Sequence, residues 1–225
     1  MTDFDLREQV RGAGYYHLAR LFELPDAFLV EEQVLDKLHA ALAAVNEEAA
    51  EHAAQVARSF DDEGLERVRR DHIKLFVGPE QLLAPPYGSV YLDAQHEIMG
   101  PSTLDAARLY QAAGMLKAPS LKEPPDHVRV ELDFMHRTIE RTLEAVHAEA
   151  WDEAEGLIEV QIAFLQNHLS RWVTPFAKVL RTGAATGFYR HAAGALEAFV
   201  RQEYVEDAAA MLAEFRALRG PVGEG

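Results

Sequence analysis

The chain has 225 residues, no cysteine, and 37 acidic side chains against 22 Lys and Arg, for a formal charge of -15. Disulfides and thiolate metal sites are therefore excluded, and such a charge repels a phosphate backbone while attracting cationic segments, so nucleic acid is not an expected partner. An apolar fraction of 48% with 26% charged residues reads as an ordinary globule with material for one large core or two small ones.

The opening MTDFDLREQVRGAG lacks the basic start and apolar run of a signal peptide, and no stretch reaches the roughly 18 apolar residues of a membrane span. The expectation is a cytoplasmic protein with no membrane insertion. Leu6, Val10, Tyr15, Leu18 and Phe22 predict a first helix running to Leu24 ahead of Pro25, with Gly12 and Gly14 weakening its middle. From residue 26 to 57, Phe28, Leu35, Leu38, Leu42 and Val45 share a face, as two helices or one long one. Asp61 or Asp62 is placed to cap the next helix, which carries Leu65, Val68, His72, Leu75 and Phe76 at helical spacing until Gly78-Pro79 stops it.

Residues 72–92, HIKLFVGPEQLLAPPYGSVYL, organise the rest. Pro85 and Pro86 predict an extended chain that is not helix, and Tyr87, Val90, Tyr91 and Leu92 give it more apolar bulk than a solvated connector needs. Such a loop must pack on the protein or receive a partner.

Pro101 starts another helix, with Ser102 or Thr103 as its cap and Leu104, Leu109 and Met115 as apolar points, over by residues 114–117. Residues 117–125, KAPSLKEPP, read as a hinge between an N-terminal half (1–116) and a C-terminal half (126–218) of one helical domain spanning 1–225. Asp126 is the expected N-cap of the strongest amphipathic helix, in which Val128, Leu132, Met135, Ile139, Leu143 and Val146 form a stripe and Trp151 anchors the far end. Further helices are expected over 152–170, 171–181 and 186–218, the last broken near Tyr204. With no alternating run long enough for a strand, the fold class is all-α, about nine or ten helices.

LFVGPEQLLAPPYGSVYLD from Leu75, taken with PPDHVRVELDFMH from Pro124, resembles the two signature segments of the TorD/DmsD family of cytoplasmic molybdoenzyme maturation chaperones. FLQNHLSRWVTPFAKVL from Phe164 and FYRHAAGALEAFV from Phe188 are similar to that family's C-terminal helices, so the likeness covers about two thirds of the chain. The resemblance implies binding without catalysis and without a cofactor. The implied partner is the twin-arginine leader of a molybdopterin oxidoreductase catalytic subunit, held until its cofactor is inserted. The implied site comprises Leu75, Phe76, Pro85, Pro86, Tyr87, Ser89, Tyr91, Asp126 and His127, the first residues forming an apolar groove and Asp126 the charge for a guanidinium. Core packing explains Leu75 and Phe76 equally well, and helix capping explains Asp126. The resemblance also implies a monomer or a domain-swapped homodimer exchanging halves at the hinge.

Other classes find less support. Asp133/His136 and Glu144/His147 are two carboxylate-x-x-His pairs of the kind di-iron bundles use, but both lie on one helix, roughly 70–150° from its apolar stripe. Ser89 lies in GSV rather than a GxSxG turn, and no glycine-rich phosphate loop exists. The remaining alternatives are a nitrate-reductase-type assembly chaperone, which binds the N-terminus of a non-exported catalytic subunit, and a helical metal-binding protein. Seven carboxylates against one arginine over 140–159 read as a solvated acidic face.

Overall fold

The computed structural model describes residues 2–78, 82–115, 122–204 and 208–219. Among them every regular element is helical, and the strand-like pairing is confined to an isolated antiparallel bridge between Tyr87 and His127. Helix α1 (Asp3–Arg20) opens with a capping box in which Thr2 Oγ1 accepts from the Asp5 amide at 3.1 Å and Asp5 Oδ2 accepts from the Thr2 amide at 2.7 Å. It ends at Arg20, a turn short of the expected Leu24. Its glycines are points of close approach: a Cβ on Gly14 would stand 2.9 Å from the Phe199 ring, and one on Gly12 3.3 Å from Ile139.

Residues 26–57 fold as three helices rather than one or two: α2 (Phe28–Glu31), α3 (Val34–Ala43) and α4 (Glu47–Glu63). Asn46 caps α4 by accepting from the Ala49 amide at 2.7 Å. Asp61 and Asp62 do not cap the next helix, because α4 runs on to Glu63 and the break falls at Gly64, whose φ of 76° suits glycine. Glu63 instead caps a distant helix, accepting from the Gly187 amide at 2.7 Å and the Phe188 amide at 3.3 Å.

Helix α5 (Leu65–His72) passes into a π-helical turn, Ile73–Val77, that closes on Gly78. The extended reading of residues 72–92 holds only around Pro85 and Pro86, since Gly88–Leu92 form a short helix, α6. Helix α7 (Pro101–Ala112) begins with proline as expected. Its cap is not Ser102 or Thr103 acting locally: Asp93, just past α6, accepts from both the amide and the hydroxyl of Ser102 at 3.2 and 2.9 Å. Leu104, expected in the core, is exposed. Residues 116–121, most of the predicted hinge, lie outside the described residues.

Helix α8 (Val128–His147) buries Val128, Leu132, Met135, Ile139 and Val146, the predicted stripe. Helix α9 (Trp151–Phe164) continues through a second π-helical turn, Leu165–Leu169, into α10 (Ser170–Gly183). Thr186 caps α11 (Gly187–Gln202), which ends two residues before Tyr204, and α12 (Ala208–Arg219) follows. The acidic face over 140–159 is not merely solvated, because Arg216 and Arg219 of α12 reach Glu155 and Asp152.

Packing interleaves the two halves. Helix α4 lies against α11, and α1 against α8, so residues from both sides of the hinge belong to one cluster of buried apolar side chains. Two buried charged fastenings join it. Arg11 is fully buried, donating to both Glu203 oxygens and, at 2.5 Å, to Glu8, while the Tyr15 hydroxyl donates to Glu203 at 3.1 Å. Asp71 at the end of α5 accepts from the Thr186 amide and hydroxyl and from the Ala185 amide. The charges are hydrogen-bonded on most sides, Arg11 by two carboxylates and Asp71 by three neutral donors, and such bonding is the condition under which buried charge is tolerated.

Candidate functional site

The two segments that carry the family resemblance cross each other. The Val128 amide donates to the Pro86 carbonyl and the Gly88 amide to the Asp126 carbonyl, both at 2.8 Å, which sets Tyr87 opposite His127. The Ser89 amide then donates to Asp126 Oδ2 at 2.9 Å. Asp126 thus holds the free amides of α6 rather than those of α8. The N-cap of α8 is His127, whose Nδ1 accepts from the Arg129 amide at 3.1 Å. That bond leaves its proton on Nε2, and burial pushes the ring down to about 3.

Of the residues assigned to the site, Pro85, Tyr87 and Tyr91 are half-buried, while Pro86, Ser89, Asp126 and His127 are buried. Tyr87 sets its ring edge-on to His127 with centroids 5.3 Å apart. The Tyr91 hydroxyl donates to the Pro85 carbonyl at 2.9 Å, and its ring lies nearly parallel to Trp172. Leu75 and Phe76 do not join this surface. Phe76 is only 8% exposed and packs among Phe22, His72, Phe176 and Tyr189, while Leu75 is wholly buried beside Gly183. Their expected place in an open groove is corrected to the core: both continue the face that already buries Val68 and His72, and Ile73 and Val77 are exposed instead.

Beneath the crossing lie groups that the sequence reading passed over. Glu131 is fully buried, accepts from Trp172 Nε1 at 3.0 Å, and its carboxyl is pushed well above the ordinary range by burial. His168, on the second π-helical turn, stacks on Phe164 and places Nδ1 3.8 Å from Glu131 Oε1. The signal in the α8 pattern was faint: at about 100° per residue Glu131 falls roughly 75° from the centre of the stripe, at its edge.

A groove of about 1080 Å³ lies between α1 and α8, with Tyr110 of α7 in its wall. Ala19, Tyr110, Met115, Val130 and Phe134 give it an apolar lining, and Glu23, Glu123, Asp133, Glu140 and Glu144 supply carboxylates. Its arginines are engaged: Arg20 and Arg129 with Glu23, Arg137 with Asp133, and Arg141 with Glu153. Glu123 and Glu144 have no ion pair among the described residues, and Lys122 is exposed at the rim. Two lining residues bond the chain beside the crossing, Arg129 through its amide to His127 and Tyr110 through its hydroxyl to the Pro125 carbonyl, so the groove borders it. The carboxylate-x-x-His pairs do not assemble: His136 bonds the Gly12 carbonyl and His147 bonds Asp5. Among the described residues no group of three or more His, Asp or Glu is arranged to hold a metal, and no helix is long and apolar enough to cross a membrane.

The chain matches the family model described as the nitrate reductase delta subunit over residues 32–178, a span that contains both crossing segments. It is 29% identical to the chaperone protein TorD of Photobacterium profundum over 167 residues, 74% of each chain. To the TorD chaperones of Aliivibrio fischeri and Vibrio parahaemolyticus it is 28% and 31% identical over 131 residues, 58% of this chain and 60% of theirs. A crystal structure described as a redox enzyme maturation protein from Archaeoglobus fulgidus shares the fold, with a TM-score of 0.51 at 24% identity over 87% of this chain and 94% of that one. These relatives are named for a chaperone's role rather than a catalytic one. The chain therefore belongs to the nitrate reductase delta subunit family, the family of the TorD chaperones.

Proposed function

We propose that this chain is a cytoplasmic maturation chaperone for a molybdopterin-containing oxidoreductase, and that it binds the twin-arginine leader of the catalytic subunit at the crossing and along the adjoining groove. Its action is recognition without turnover, and it needs no cofactor of its own. The observation that carries the reading is the crossing itself. Two segments about 40 residues apart are pinned by three backbone donors and one buried carboxylate, beside a groove with an apolar lining and free carboxylates. A leader offers two guanidinium groups followed by an apolar helix, which suits that combination.

In this reading Pro85, Tyr87 and Tyr91 meet the leader directly, with Glu123 at the junction. Asp126, Ser89 and His127 hold the crossing in register. Pro86 fixes it, and Leu75 and Phe76 support it from the core. Calorimetric titration with a synthetic peptide bearing paired arginines ahead of an apolar stretch is the test. Micromolar binding, about 8 kcal/mol, that weakens with salt supports the reading. Replacing both arginines with glutamines should weaken binding more than replacing them with lysines, which keep the charge but lose the fork. The second reading, a chaperone for the N-terminus of a non-exported nitrate-reductase-type subunit, is favoured by the description of the matched family. Binding that ignores both salt and the arginines would select it.

A further inference from the structure

Four buried polar atoms gather around the Gly88–Ser89 backbone without a hydrogen-bond partner: Ser89 Oγ, Asp126 Oδ1, Glu131 Oε1 and His168 Nδ1. Buried polar atoms are normally paired, so four together call for an explanation. Glu131 Oε1 lies 3.8 Å from His168 Nδ1 and 3.4 Å from where a Cβ on Gly88 would stand. Were the carboxylate ionised and Nδ1 bare, two lone pairs would face each other in a dry site. The two are too far apart to share a hydrogen bond, and the uncharged state of such a site is a Glu131 that keeps its own proton.

The surroundings favour that state. From α10, Trp172 donates to the other Glu131 oxygen; from α7, the Tyr110 hydroxyl is turned away, donating to the Pro125 carbonyl; from the start of α8, Asp126 adds a like charge. The α6 segment contributes only the Gly88 and Ser89 backbone and the Ser89 hydroxyl. Asp93, Asp105 and Arg171 act on His168 from further out. Among the described residues no Lys or Arg pairs with Glu131. Burial accordingly holds the Glu131 carboxyl up and the His168 ring down, each toward its neutral form.

We propose that Glu131 is protonated in the free chaperone, and that its proton leaves to solvent when the arginine end of a leader docks at the crossing, so that Glu131 joins Asp126 as a second carboxylate of the site. This rests on the leader reading above. Three oxygens without donors, on Ser89, Asp126 and Glu131, match a guanidinium, which has five donors and no acceptor. The cover over them is the five-residue helix α6, held to α8 by the bonds of the crossing. The balance is simple: carboxylic acid and neutral imidazole before, carboxylate paired with guanidinium and neutral imidazole after, one proton to the buffer.

Two measurements test it. In protein labelled with carbon-13 at glutamate side chains, the Glu131 resonance, assigned by its loss in Glu131→Gln, should sit at the protonated position at pH 7; an ionised position overturns the proposal without any leader. Calorimetry with the paired-arginine peptide in phosphate and in Tris should give enthalpies that differ by the buffer difference for one released proton. Glu131→Gln keeps the oxygen that accepts from Trp172, should fold, and should bind about tenfold weaker or more with no buffer dependence. Tight binding with buffer-independent enthalpy overturns the proton linkage and leaves the leader reading intact. No binding at all overturns the leader reading and the linkage with it, while the resonance still decides whether Glu131 holds a proton.

Discussion

Asp71 and Asp126 occupy similar places and differ in one respect. Both are buried carboxylates near a helix terminus, and both fasten the backbone of a remote segment. Asp71 accepts from three donors on Ala185 and Thr186, and the aromatic cluster of Phe76, His72 and Tyr189 seals the region, with the Tyr189 hydroxyl bonded to His72 at 2.8 Å. Asp126 uses one oxygen on Ser89 and leaves the other without a donor, next to three more unmatched atoms. A fully satisfied buried network rigidifies, whereas a partly satisfied one is stable only if something else completes it. The first region is a fastening, and the second is the site in the function proposed above.

The largest effect that sharpens this contrast is expected at Phe76. Phe76→Ser removes a ring from the core and should cost about 3–5 kcal/mol, read as a lowered midpoint in chemical denaturation, while the folded fraction still binds the paired-arginine peptide. Normal stability with lost binding would return Phe76 to the binding surface. Next comes the pair of aspartates. Asp71→Ala strands three donors and should cost about 3 kcal/mol, whereas Asp126→Asn keeps an acceptor for Ser89 and should cost about 1 kcal/mol. Peptide affinity should respond in the opposite order, and equal effects on stability would erase the distinction drawn here.

Acid sensitivity gives a third contrast. The His72 ring is held down to about 4 and the His127 ring to about 3, both chiefly by burial, against an ordinary value of 6.5. A depressed folded value means that the unfolded chain takes up protons first, so stability is fully present above pH 6.5 and is lost as pH falls. The loss is about 1.4 kcal/mol per ring for each unit, continuing to about 4 for His72 and about 3 for His127. His127→Asn keeps an acceptor for the Arg129 amide without a titrating ring, so its midpoint should fall less steeply between pH 6.5 and 4 than the parent's. Parallel curves would mean that His127 is not buried as described. The smallest effect concerns assembly: Pro124→Gly loosens the hinge predicted over 117–125 and should shift a slowly exchanging monomer–dimer ratio in light scattering, whereas one monomeric species at every concentration would remove domain exchange.

Much of the fold was legible because long amphipathic helices announce themselves by period. The α8 stripe and the proline start of α7 were both local signals. What escaped was tertiary or too short. The caps that Asp93, Glu63, Asp71 and Asp126 supply act on other elements, so a search for a capping residue just before each helix chose Asp61, Ser102 and Asp126 for the wrong ends. Leu75 and Phe76 continue the buried face of Val68 and His72, so the helical period favoured the core over the groove that the resemblance implied. For the site, the resemblance brought together Tyr87, Asp126 and His127, and the structure supplied the reason in their crossing. Glu131 and His168 went unnoticed because a stripe was read for its apolar members and not for the acid at its edge.

Hydrogen exchange at the crossing, compared with and without the paired-arginine peptide, tests the central claim most directly. The amides of Gly88, Ser89 and Val128, which close the crossing, should change their exchange on binding, together with those lining the groove along the first turns of α8. Unchanged exchange there, with protection confined to another exposed apolar surface such as Ile98, Met99 and Leu104, would contradict it.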